Sequence, residues 1–156
     1  MTSKRSIKKS LKNNDYIKEI TIKKKFPCKV YIYITEKKVI AIYNDKLLLE
    51  DNSLVDNTYN IMNVPKLNSD ISSLGDKFAR KFALLDDNIL LKISEIVYEP
   101  NEVDKERFAL YMNDNNLVYI TLNKITKLNK YNSIYSKMND KNGIIYLDSG
   151  DFVELK

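Results

Sequence analysis

The chain holds 156 residues, 44% hydrophobic and 30% charged, with few glycines and prolines; this is the make-up of an ordered globular protein and lacks the signature of disorder. It has no histidine, no tryptophan, one cysteine and three isolated glycines at 75, 143 and 150, which removes Cys/His metal sites, an internal disulfide and glycine-rich phosphate loops, and leaves most catalytic constellations without their parts. Charge is uneven: residues 1–42 carry 12 Lys/Arg and 3 Asp/Glu, net +9, leaving 14 and 18, net −4, for residues 43–156.

Near the start, Ile7 and Leu11 share one helical face, and Asn13-Asn14-Asp15 stops that helix. Tyr16-Ile17 enters a strand in which Ile20 and Ile22 alternate with polar residues, and the run Lys23-Lys24-Lys25 leads to Phe26-Pro27, where the missing proline N–H ends pairing. The next strand has the clearest period of two in the chain. Cys28, Val30, Ile32 and Ile34 fall on one side and Lys29, Tyr31, Tyr33 and Thr35 on the other, which predicts a half-buried strand with Cys28 in the core. The segment 35–43 supplies a third strand.

Asn44-Asp45, then 47–50, a turn at Asp51-Asn52 and 53–55 read as another hairpin. Leu74, Phe78, Phe82 and Leu85 repeat at four, four and three, predicting one helix over 72–85 laid on a sheet, with Asp86-Asp87-Asn88 as its end rather than a calcium loop. Strands follow at 93–98, 107–112 and 117–122, the last two joined by Asn113-Asp114-Asn115-Asn116. Residues 123–138 read as a further helix with Thr121 or Asn123 as N-cap. Asn142-Gly143 turns into 144–147, and Ser149-Gly150 leads to the last strand, 152–155.

These elements resemble a known family. The helix-end Leu11, then Tyr16, Ile17, Lys23, Pro27, and Thr35-Glu36-Lys37-Lys38 with Ala41, match the second half of a POTRA domain of the bacterial division proteins called FtsQ or DivIB. The likeness continues through Leu49-Glu50-Asp51-Asn52-Ser53-Leu54-Val55, with Ser53 where glycine is common, through Pro65-Lys66-Leu67, and through 145–153 near the end. It implies an α+β fold: a partial POTRA domain over 1–42, lacking its first strand and helix, and a mostly antiparallel β domain with two helices over 43–156.

The resemblance further implies a non-enzymatic scaffold of the divisome, without cofactor or metal, on the extracytoplasmic side of the cell membrane at the septum. A single membrane span would precede this chain. Its partners would be FtsL and FtsB, the latter called DivIC in some bacteria, joined by strand addition at the C-terminal sheet edge. By motif position the partner-binding candidates are Leu147, Ser149, Gly150, Val153, Glu154 and Leu155, with Lys105 and Arg107 as basic positions facing a partner carboxylate. An incomplete POTRA sheet has an unpaired edge, so strand exchange between copies is expected as well. Two other readings stay open: a POTRA module of outer-membrane assembly, and a basic nucleic-acid-binding domain served by Lys23 to Lys25 and by Tyr31 and Tyr33.

Overall fold

A computed structural model describes residues 3–139 and 141–156. The chain divides into two units, one ending at Lys38 and the other running from Val39 to Lys156. In the first, α1 (Lys4–Lys12) is opened by the Ser3 side chain, which accepts from the Ser6 N–H at 3.1 Å. Lys9 and Lys12 in its last turn complement the helix dipole. Strands β1 (Ile17–Lys25) and β2 (Lys29–Glu36) form an antiparallel ribbon in which Ile22 opposes Ile32 and Lys23 opposes Tyr31.

The expected half-buried β2 is exposed along its whole length, and Cys28 is exposed as well. A two-stranded ribbon has no second layer of its own. Within this unit α1 packs on it, and of the described apolar row shared by both strands only Ile22 is buried. The third strand, β3 (Val39–Tyr43), belongs to the second unit, so the boundary expected after residue 42 falls inside it.

That second unit is built on one nine-stranded sheet. Its strands are β3, β4 (Lys46–Leu49), β5 (Leu54–Asp56), β6 (Lys66–Leu67), β7 (Ile93–Tyr98), β8 (Arg107–Met112), β9 (Leu117–Thr121), β10 (Gly143–Tyr146) and β11 (Phe152–Leu155). They lie in the order β11-β10-β9-β8-β7-β6-β3-β4-β5, antiparallel except at β10/β9, β3/β6 and β6/β7. The expected α+β class, a mostly antiparallel sheet backed by helices, is what the chain forms. Asn44 and Asp45 hold φ of 50° and 62° in the β3–β4 turn, the left-handed pair that a tight hairpin needs.

The apolar stripe expected to make one helix over 72–85 makes a 3₁₀ turn (Ser72–Leu74) and then α2 (Lys77–Phe82). Gly75, at φ 55° and ψ −133°, breaks the run. Asp86-Asp87, read as a helix end, instead begins α3 (Asp87–Leu90), with Asp86 in extended conformation as its cap. The rings of Phe78 and Phe82 pack against each other and against Phe108 of β8 in tilted and edge-on contacts, with centroids 4.3 to 5.8 Å apart, which fixes α2 over the sheet.

The predicted helix over 123–138 is also two pieces: a 3₁₀ segment (Leu122–Lys130), preceded by Thr121, and α4 (Tyr131–Lys137). Leu122, Ile125, Leu128 and Tyr131 recur every third residue and are all buried, which is the stripe a 3₁₀ turn aligns. The Tyr131 hydroxyl donates to Asp114 at 2.8 Å and accepts from Asn116 Nδ2 at 2.9 Å. Burial, together with its bond to Asp114, pushes the phenol well above its ordinary range. Asn116 Oδ1 in turn accepts from the Gly143 N–H at 2.8 Å. Asn116, the buried polar side chain of this core, thus ties α4 to the β8–β9 turn and to β10.

Candidate partner-binding edge

Strand β11 ends the sheet and pairs on one side only, with β10. Its register sets Phe152 against Tyr146, Val153 against Ile145, Glu154 against Ile144 and Leu155 against Gly143. The Lys156 N–H donates to the Asn142 carbonyl at 3.0 Å, which fixes the parity. In an antiparallel pair hydrogen-bonded residues alternate with non-bonded ones. Lys156, Glu154 and Phe152 therefore bond to β10, while the N–H and C=O groups of Val153 and Leu155 point away from the sheet. The inner side agrees: Gly143 and Leu147, of the same parity on β10, send their N–H groups toward β9.

Side chains divide in the same alternating way. Phe152 and Glu154 lie on one face with Tyr146, whose hydroxyl donates to Glu154 at 3.3 Å. Val153 and Leu155 lie on the other face, 37% and 50% exposed. On the first face a ladder crosses four strands: Phe152 stacks on Tyr146 at 4.4 Å, Tyr146 on Tyr119 at 5.5 Å, and the Arg107 guanidinium sits 3.8 Å above the Tyr119 ring. Cations brace the loop before β11. Arg107 Nε donates to Asp148 at 2.7 Å, Lys124 donates to the Asp148 carbonyl at 2.6 Å, and Lys127 reaches both oxygens of Asp151 at 2.7 and 2.8 Å.

The Asp148 carboxyl is raised by burial and lowered more by Arg107 and by the Ser149 N–H, so it lies below its ordinary 3.8. Arg107 shows the mirror image: burial lowers it, and the Asp148 bond more than restores it. At Gly143 the backbone of β11 passes so close that any Cβ would overlap the Glu154 carbonyl oxygen. The position accepts only hydrogen.

The expected site residues separate against this geometry. Val153, Glu154 and Leu155 lie together on the open strand, and Ser149 and Gly150 lie in the loop that feeds it. Leu147 is 4% exposed and belongs to the core, so its side chain does not face a partner. Lys105 is exposed in the turn before β8 rather than on the strand. Arg107 is occupied by Asp148, Glu99 and Tyr119, and so serves the protein's own sheet. Phe152, Tyr146, Tyr119 and Asp148 were not singled out from sequence. The aromatic spacing on alternate strand positions was the available signal. Among the described residues no group of three or more His, Cys, Asp or Glu could hold a metal ion, and no helix is long and apolar enough to cross a membrane.

The class defined here is an α+β domain with a large sheet, helices on it, and an open edge strand, β11, fed by a braced loop. No protein-family model matches the chain. It is 31% identical over 153 residues to the cell division protein DivIB of Brevibacillus brevis, covering 91% of this chain and 58% of that protein. It is 29% identical over 161 residues to DivIB of Bacillus subtilis, covering 97% and 60%. The chain is thus a homologue of the DivIB cell division proteins, as its motifs suggested, and spans about three fifths of the length of these relatives. The major extracytoplasmic domain of the trans isomer of DivIB from Geobacillus stearothermophilus shares the fold, with a TM-score of 0.53 at 23% identity over 68% of this chain and 97% of that one.

Proposed function

We propose that this chain is a non-enzymatic scaffold of the division machinery, working on the extracytoplasmic side of the cell membrane at the septum. Its β11 edge takes up an extended segment of an FtsB or DivIC type of partner, which arrives together with FtsL. The observation that carries this reading is the parity of β11, which turns the main-chain groups of Val153 and Leu155 outward in a strand already braced from behind. Strand addition draws affinity from such groups and selectivity from the alternating side chains, here Phe152 and Glu154 on one face and Val153 and Leu155 on the other. The opposite edge, β5, is a poorer acceptor. It is three residues long and ends in Asp56, held by Lys46 at 3.3 Å.

Val153→Pro tests this directly, because the lost N–H is one that β10 does not use. Titrated against a soluble FtsL–FtsB/DivIC complex, the variant should bind about 2- to 12-fold more weakly, the worth of one main-chain bond. Val153→Ala should bind nearly as the parent. Equal affinity of the proline variant and the parent would rule out strand addition at this edge.

A further inference from the structure

We infer that the N-terminal unit docks on an anionic lipid surface, with Phe26 at the hairpin tip as its point of insertion. Phe26 is 94% exposed, the most exposed aromatic of the described residues. It stands at the turn between β1 and β2, with Lys23, Lys24 and Lys25 on one side and Lys29 on the other. Behind it an apolar groove runs between α1 and the ribbon, lined by Ile7, Val30 and Ile32, with Lys24, Lys25 and Lys29 among its walls. Val30 and Ile32 are both about half exposed. All of this lies in the unit that ends at Lys38, which carries 12 Lys/Arg and 3 Asp/Glu, net +9.

Charge selects the occupant. A second copy would bring another +9 against the first, so self-association of these faces is opposed. A polynucleotide would answer the lysines but offers nothing to Ile7, Val30 and Ile32. The rings that could stack on bases, Tyr31 and Tyr33, lie on the opposite face of the ribbon, where the Lys23 ammonium already sits 5.4 Å from the Tyr33 centroid. A lipid surface asks for no matching shape. It takes an apolar point at the headgroup boundary and cations around it, the arrangement this tip presents. The inference is independent of strand addition at β11 and concerns other residues.

The full chain has no tryptophan, so Phe26→Trp places a single indole at the tip. Mixed with phosphatidylglycerol–phosphatidylethanolamine vesicles at low salt, its emission should shift to the blue and be quenched by brominated acyl chains. Phosphatidylcholine vesicles and single-stranded DNA should leave it unchanged. In co-sedimentation, Phe26→Ala should lower partitioning about tenfold, and Lys24→Gln with Lys25→Gln about 30-fold, at about fivefold per lysine. Both sites are exposed, and unchanged far-ultraviolet circular dichroism shows the variants folded. Val153→Pro should partition like the parent, which separates this surface from the β11 edge. No shift with anionic vesicles, equal partitioning into neutral ones, indifference to either set of substitutions, or a larger shift with DNA than with lipid would overturn the inference.

Discussion

Replacing Asp148 by asparagine removes one negative charge and leaves the side chain's size unchanged, so it tests what holds the loop before β11 in place. The Arg107 and Asp148 side chains are 16% and 9% exposed, and their contact is 2.7 Å. A hydrogen bond between two charged groups this well shielded contributes about 1.5–3 kcal/mol. Asparagine can still accept from the Ser149 N–H, and Glu99 at 3.3 Å still partners Arg107, which places the loss toward the middle of that range, about 2 kcal/mol. In a domain of this size that lowers the melting temperature by roughly 8 °C.

Acidity supplies the check on this magnitude. The folded carboxyl titrates below its ordinary 3.8, so the stability it brings is complete above that value and disappears as pH falls through the lower, folded one. Urea unfolding of parent and Asp148→Asn should therefore differ by about 2 kcal/mol at neutral pH and converge in acid. A neutral-pH difference under about 0.5 kcal/mol, within the range of an ordinary surface change, would refute the reasoning. So would a difference that persists undiminished in acid.

Gly143→Ala should push β11 off β10 because of the Glu154 carbonyl. Amide exchange at Phe152, Glu154 and Lys156, slow in the parent, should then become fast, whereas Val153 and Leu155 exchange quickly in both; uniform protection along β11 in the parent would contradict the register. Asn116→Ala leaves the Gly143 N–H without its acceptor and takes the Nδ2 donor from the Tyr131 hydroxyl, which keeps its bond to Asp114, and should cost about 1–3 kcal/mol in chemical denaturation. A loss no larger than that of an exposed Asn→Ala control such as Asn63 would show the network to be dispensable.

Where a strand has one face on a core, the sequence announces it. Val118 and Ile120 are buried and Leu117, Tyr119 and Thr121 partly open, as the alternation requires, and β7, β8 and β11 fall on the predicted residues. The same alternation misled in β2, because a period of two reports what a strand could bury and not whether a second layer is there to receive it. Helical stripes were read as α where the spacing of three from Leu122 to Tyr131 makes a 3₁₀ turn, and where Gly75 breaks the run. At the edge, the final strand over 152–155 is legible in the sequence. The parity that decides which of its residues faces outward depends on the Asn142–Lys156 bond, and the burial of Leu147 on long-range packing. Neither leaves a local trace.

Strand β11 is also protected from its own kind. If two copies met along it so that each Val153 exchanged bonds with the other's Leu155, the residue on the two-fold axis would be Glu154 opposite Glu154, at the closest spacing an antiparallel pair allows. Homotypic pairing in that register sets carboxylate against carboxylate. An incoming segment with lysine or arginine there meets attraction instead, so one side chain both discourages edge-to-edge dimers and favours a guest of the other sign.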